Sequence, residues 1–194
     1  MKKSALIFSI VIIAAFSIKA FACVGRTLTI GSLQSENEKI LSQMLSVIIN
    51  ERTGTTVNVE YFDTQQELYE AMKAGKVSIM IENTDRALQL LGQAKNKDAQ
   101  SNYQAVKNAY KEKFDFVLLD AFGESPADSE NKQYLYFPVI PGEILIDYPA
   151  LPRVVNKLGG VLEDKAYGKL KGTVDAGDKP KSAAKDFLKK KRLI

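Results

Sequence analysis

Apolar residues alternate with polar ones in some stretches of the chain and recur every three to four residues in others. Thr27-Leu28-Thr29-Ile30-Gly31-Ser32 alternates and ends in small residues, which predicts a strand running into a turn. After it, Ile40, Leu41, Met44, Leu45, Val47 and Ile48 recur at helical spacing. Ser35 followed three residues later by Glu38 has the form of a capping box, so this helix should begin near Glu36 and stop before Thr53-Gly54. A second strand is expected at Val57 to Phe62. A second helix from Thr64 to Ala74 puts Leu68, Ala71 and Met72 on one face and has Gly75 at its end. Val77 to Ile81 is nearly all apolar, the pattern of a strand covered on both faces. Thr84 should cap a third helix reaching Leu91 and ending at Gly92.

Further along, a helix is expected over about Tyr103 to Phe114, followed by a strand over Phe116 to Leu119. Gly123 to Asn131 reads as a loop by composition. Tyr134 to Pro141 must be extended, because Pro138 and Pro141 exclude a helix interior. Three helices should close the chain, over about Ala150 to Leu158, Leu162 to Lys171 and Lys181 to Arg192. Strands alternating with helices at these intervals argue for an α/β fold, a mostly parallel sheet flanked by helices. The basic run Lys189-Lys190-Lys191-Arg192 falls at a helix C-terminus, where cations suit the macrodipole.

Composition then narrows the chemistry. The 194 residues contain no His and one Cys, so the usual zinc, Cys-His and Ser-His-Asp sites cannot be assembled within the chain. No metal or cofactor is expected, and no activated nucleophile or phosphate loop stands out, so the chain does not read as an enzyme. The formal charge of +4 invites a nucleic-acid reading, but part of the excess lies in the first segment. Lys2 and Lys3 precede an apolar run from Ala5 to Ile18, which is followed by Lys19 and Ala20-Phe21-Ala22. These are the basic, apolar and small-residue parts of a secretory signal in order, and the run is short for a bilayer-spanning helix.

Residues 1–22 are therefore expected to be a signal peptide, and residues 23–194 a single lobe. Without Lys2, Lys3 and Lys19 the chain keeps 24 basic against 23 acidic residues, a net charge of +1, and the argument for nucleic acid disappears. Cys23 at the first mature position opens two readings of an exported protein, periplasmic or in the cell envelope. In one the protein is soluble; in the other Cys23 is acylated and tethers it to a membrane. Phe21 and Lys19 fit the second poorly. A lone Cys makes no internal disulfide in either case.

In an open parallel sheet, ligands bind beyond the carboxyl ends of strands, where loops lead into helix N-termini. Two such places are Gly31 to Glu36 and Glu82-Asn83-Thr84-Asp85. Their hydroxyls, amides and free backbone donors suit a polar or anionic group, although Ser35 and Thr84 have a plainer reading as helix caps. Glu36, Glu82 and Asp85 could pair for acid-base work, but acids at helix starts more often serve the dipole.

The order of these segments resembles the substrate-binding proteins of glycine betaine, choline and carnitine ABC transporters, an OpuAC-like group of type 2 periplasmic binding proteins. The matching stretches include Leu28 to Ser32, Leu41 to Leu45, Thr53 to Val57, Glu67 to Ile79, and Tyr110 to Lys113 before Leu118-Leu119. Phe137 to Pro141, Tyr148 to Leu151, Leu158 to Leu162, Val174-Asp175 and Ala184 to Leu188 look like the closing segments. The resemblance implies two α/β lobes, the second inserted into the first. Here Leu118 to Gly123 meets Tyr134 to Phe137 across about ten residues, a common loop length in compact domains. The chain therefore reads as one lobe with the second absent.

The resemblance implies a substrate-binding or accessory component of a transporter for a glycine betaine-like quaternary ammonium or other small polar or zwitterionic solute. Ser32, Gln34, Ser35, Asn83 and Thr84 would face the solute. Relatives enclose a quaternary ammonium in aromatic rings, often Trp, and this chain has no Trp. Tyr61, Phe62, Tyr134, Tyr136 and Phe137 are the aromatic candidates, Tyr136 among them for the site, with core packing as the alternative. Binding to one open lobe should be weak unless a permease, a second lobe from another chain or a homodimer supplies the other wall. The competing reading is a ligand-free interaction module in the envelope, built on the same lobe.

Overall fold

The computed structural model describes residues 27–96, 98–125 and 134–194. Residues 1–22 and Cys23 lie outside them, as does most of the segment joining Ser125 to Tyr134. Among the described residues no helix is long and apolar enough to cross a membrane.

Strand β1 (Leu28–Leu33) leads into helix α1 (Glu36–Thr53). Ser35 is extended at the N-cap and accepts the Glu38 N–H, while Gly54 ends the helix in the left-handed region. Strand β2 (Val57–Phe62) is followed by α2 (Gln65–Lys73), where Thr64 and Glu67 make a reciprocal capping box. Then come β3 (Ile79–Asn83), α3 (Thr84–Leu91), α4 (Ala99–Phe114), β4 (Phe116–Leu118), β5 (Gly123–Glu124) and β6 (Leu135–Pro141). Helices α5 (Gly142–Asp147), α6 (Leu151–Val155), α7 (Lys165–Asp175) and α8 (Pro180–Lys190) complete the chain, with 3₁₀ turns at Asn156–Leu158 and Val161–Glu163.

The strands form one sheet in the order β2-β1-β3-β6-β4, with β5 also paired to β6. β1 runs parallel to β2 and β3, whereas β6 is antiparallel to β3, β4 and β5. Its direction follows from its entry. β6 folds back on β5 as a hairpin, with Gly123 opposite Tyr136 and Glu124 opposite Leu135, and a hairpin can only pair antiparallel strands. Layers of helix cover both faces, α1, α6, α7 and α8 on one and α2, α3 and α4 on the other. Alternate residues of each strand serve the two cores: Ile79 and Ile81 point to the first, Met80 to the second. The sheet and α2 approach tightly at Gly31, where a Cβ would lie 2.7 Å from Leu68 Cδ1 and 2.9 Å from both Val77 methyls.

Several boundaries differ from the sequence reading. The third strand begins at Ile79 rather than Val77, because the Lys76 and Val77 N–H groups donate to the Ala71 carbonyl and finish α2. Asn83, not Thr84, caps α3: β3 stays extended through Asn83, whose side chain accepts the Arg86 N–H. The expected loop at Gly123 opens with the paired strand β5, and α5 is an addition that the two prolines beside it did not suggest. The helix expected from Leu162 starts at Lys165, capped by Asp164.

Candidate functional site

Parallel pairing puts the carboxyl ends of β1 and β3 side by side, and antiparallel pairing brings the start of β6 to the same edge, with Asn83 opposite Tyr136. A cleft of about 530 Å³ opens there. It is lined by Gln34, Ser35, Asn83 and Tyr136 of the expected residues, joined by Glu38, Asp85, Arg86 and Tyr134. Ser32 and Thr84 are not among the lining residues. Ser32 is fully buried and its hydroxyl has no hydrogen-bond partner among the described residues; the Thr84 hydroxyl donates to Asp85 Oδ1 at 3.5 Å.

Each lining group is held by its neighbours. The Gln34 amide donates to Asp63 at 2.5 Å. The Ser35 hydroxyl accepts the Glu38 N–H at 3.4 Å and donates to Glu38 Oε1 at 3.2 Å. Glu38 Oε2 does not reach back to the N-cap but accepts the Leu33 N–H at 2.7 Å, which pins the end of β1 to the start of α1. Tyr134 and Tyr136 stand edge to face with ring centroids 6.4 Å apart.

Beneath this surface lies a charged network that the sequence reading did not contain. Arg86 donates from Nε to Glu82 Oε1 at 2.7 Å, from NH1 to Glu38 Oε1 at 2.7 Å and from NH2 to the Ile81 carbonyl at 2.9 Å. Glu82 Oε1 also accepts the Asn83 N–H, and its Oε2 accepts the hydroxyls of Tyr69 and Tyr110. One guanidinium thus joins the ends of β1 and β3 to the starts of α1 and α3, and the two tyrosines add α2 and α4. With both carboxylates ionised the network carries one excess negative charge. Sequence spacing held one clue, Glu82 and Arg86 four apart at a strand-to-helix junction; nothing local marked the tyrosines.

Burial pushes the Glu82 carboxyl above its usual range, outweighing the pull of Arg86. Burial works against the Arg86 charge, but Glu82 and Glu38 more than offset it and hold the guanidinium protonated. The Tyr136 hydroxyl is pushed up to about 12, by burial first and then by Glu38. Because the folded Glu82 pKa lies above its reference of 4.5, its protonated form favours the fold. That contribution is complete below the reference value and is lost as pH rises through the raised one. Glu82→Gln should remove this slope. Urea midpoints taken upward from pH 4.5 are expected to show wild type losing ground to the variant, by at most about 1.4 kcal/mol per pH unit. Parallel curves would contradict it.

Glu36, Glu82 and Asp85, considered above as paired carboxylates, each have a separate partner: Lys171, Arg86 and Lys95. Among the described residues no three Asp, Glu, His or Cys side chains gather as a metal-sized cluster. The arrangement offers a polar, slightly acidic cleft with two aromatic rings, suited to holding a small solute.

The family model for the substrate binding domain of ABC-type glycine betaine transport systems, OpuAC, matches residues 26–129. The chain belongs to this family. Among solved structures, this OpuAC chain is similar to a glycine betaine/carnitine/choline ABC transporter protein, at 16% identity and a TM-score of 0.76, over 88% of this chain and 99% of that one. It is also similar to apo YehZ from Escherichia coli, at 13% identity and a TM-score of 0.73, over 87% of this chain and 100% of that one. At such identities the likeness is one of fold. No curated protein matches the chain. The OpuAC chain is one lobe of a periplasmic-binding-protein fold, and its closure is visible in the backbone. Where β5 and β6 would diverge, the Ser125 N–H donates to the Tyr134 carbonyl at 2.8 Å, and the Tyr134 N–H returns to Ser125 Oγ at 3.1 Å.

Proposed function

We propose that the chain is an exported binding or accessory component of an ABC transporter, holding a glycine betaine-like quaternary ammonium or similar zwitterionic solute in the cleft between β1, β3 and β6. The observation that carries this reading is the pairing of two tyrosine rings with acidic side chains at the carboxyl ends of the strands. A quaternary ammonium donates no hydrogen bonds and is recognised by ring faces and nearby negative charge. Tyr134 and Tyr136 supply the faces, and the negative charge comes from Asp85, which also meets Lys95, and from Glu38, which shares Arg86 with Glu82. Asn83 uses its side-chain oxygen on the Arg86 N–H, so its amide NH₂ is the group that can donate to a solute carboxylate. Gln34 and Ser35 shape the same rim.

The domain division goes with this reading: residues 1–22 direct export, and residues 23–194 form the lobe. Soluble release fits Lys19 and Phe21 better than acylation of Cys23, and the mass of the mature protein separates the two. A solute on one open wall keeps much of its surface in water, so affinity is weak until a permease, a second lobe or another copy covers it.

Calorimetric titration with glycine betaine tests the proposal. A saturable isotherm is expected, weakened about 2- to 30-fold by Tyr134→Ala, the size of a cation–π contact worth about 0.5–2 kcal/mol. An isotherm indifferent to Tyr134, or no heat at millimolar solute, would overturn it.

A further inference from the structure

Charge is divided unevenly along this chain. Residues 151–194 hold 12 Lys and Arg against 5 Asp and Glu, whereas residues 27–150 hold 11 against 18. The basic part includes α6, α7 and α8, which pack into the core on the α1 face of the sheet. Helices α7 and α8 lie together there, and between them is a groove of about 230 Å³ floored by Ala166, Leu170, Ala183 and Phe187. Lys169, Lys190 and Lys191 stand around it, with Thr173, Asp178 and Asp186 completing the polar lining. Lys165, one turn from Lys169, extends the basic row along α7.

Helix electrostatics explain only part of this. Lys189 and Lys190 occupy the last turn of α8, where cations suit the dipole. Lys165 is the first residue of α7, at the end that disfavours cations, where the acid present is the N-cap Asp164; Lys169 lies one turn further on. Lys191 pairs with Asp164. Lys165, Lys169 and Lys190 are exposed and make no ion pair with a described residue. Exposed positive charge without an ion-pair partner among the described residues, beside an apolar groove, fits an anionic amphiphile. The phosphates would meet the ammonium groups and the glycerol and first methylenes would meet the groove floor. A transport system operates at a membrane, and phospholipid is the amphiphile found there.

We propose that the α7–α8 surface rests on an anionic phospholipid bilayer and orients the lobe there, an inference that relies on the exported state proposed above. The acidic remainder of the lobe, its cleft included, is repelled by the same bilayer, so the charge division sets which side approaches.

The test is co-sedimentation of the exported form, residues 23–194 carrying Cys23→Ala so that neither the apolar leader nor an acyl group contributes, with vesicles containing phosphatidylglycerol or made of phosphatidylcholine alone. Binding is expected to the anionic vesicles, weakening with salt. The combined variant K165Q/K169Q/K190Q should lose on the order of a hundredfold in partition, at about fivefold per lysine near an anionic surface. K76Q/K113Q, on the acidic half, should stay within about twofold. Circular dichroism melts of parent and variants check that the fold is unchanged. Equal partition onto both vesicle types, or a triple variant that binds like its parent, overturns the proposal. Tyr134→Ala should leave vesicle binding intact, so a failed solute reading and a failed membrane reading are seen separately.

Discussion

Arg86→Met is expected to cost about 3–5 kcal/mol of folding stability, the range for removing one partner of a buried ion pair. In a chain of this size that lowers Tm by roughly 6–20 °C. The size follows from what is left behind. Glu38 and Glu82 are almost wholly buried, their side chains 2% and 1% exposed, and without the guanidinium neither has a countercharge within the network. Such networks need not stabilise a fold in total, since a neutral replacement of the whole set can do as well. The triple variant R86M/E38Q/E82Q should therefore recover most of the loss. The amide oxygen that replaces the Glu38 carboxylate can still accept the Leu33 N–H, and the amide that replaces the Glu82 carboxylate can still meet the two tyrosine hydroxyls. Thermal unfolding of the two variants decides the matter. A mild single variant, or a triple variant as damaged as the single, would show that the network is not what joins the strand ends.

Phe137→Ala should be about as damaging, at about 3–5 kcal/mol. Phe137 has no exposed surface and lies on β6, between β3 and β4. Its ring meets Tyr103 edge to face at 5.3 Å, a geometry that adds about 0.5–1.5 kcal/mol beyond area. The neighbouring residue on β6, Tyr136, lines the cleft, so loosening the strand should also weaken solute binding. Ile146→Ala is the contrasting change. That side chain is 81% exposed, and its loss should move stability by no more than about 0.5 kcal/mol. Urea denaturation of the pair measures how far β6 is the keystone of the sheet.

The contrast between what the sequence disclosed and what it concealed follows from distance along the chain. Ser35, Glu38 and Gly54 bound α1 through contacts within a few residues, and all three were readable as start and stop signals. That Gln34, Ser35 and Asn83 share one edge of the sheet was legible because strand ends and helix starts are local features. Direction was not readable for β6, since an extended run of Tyr, Phe, Val and Ile with prolines fits either orientation, and the hairpin with β5 decides it. The Glu82 network was hidden for a different reason. Its carboxylate is satisfied by Tyr69 and Tyr110, 13 and 28 residues away, and its guanidinium reaches Glu38 across 48. Periodicity tells which face a residue occupies; it does not tell that a Glu closing an apolar strand is kept inside by partners from three helices. Ser32 shows the same limit in reverse, a small polar residue at a strand end that looks available and is buried.

One lobe is expected to recognise its solute at the meeting point of β1, β3 and β6. An NMR titration of the backbone amides with glycine betaine tests it most directly. Saturable shifts centred on Leu33 to Ser35, Asn83 to Arg86 and Tyr134 to Tyr136 are predicted. Shifts centred elsewhere, or none at solute concentrations that saturate the calorimetric response, would contradict it.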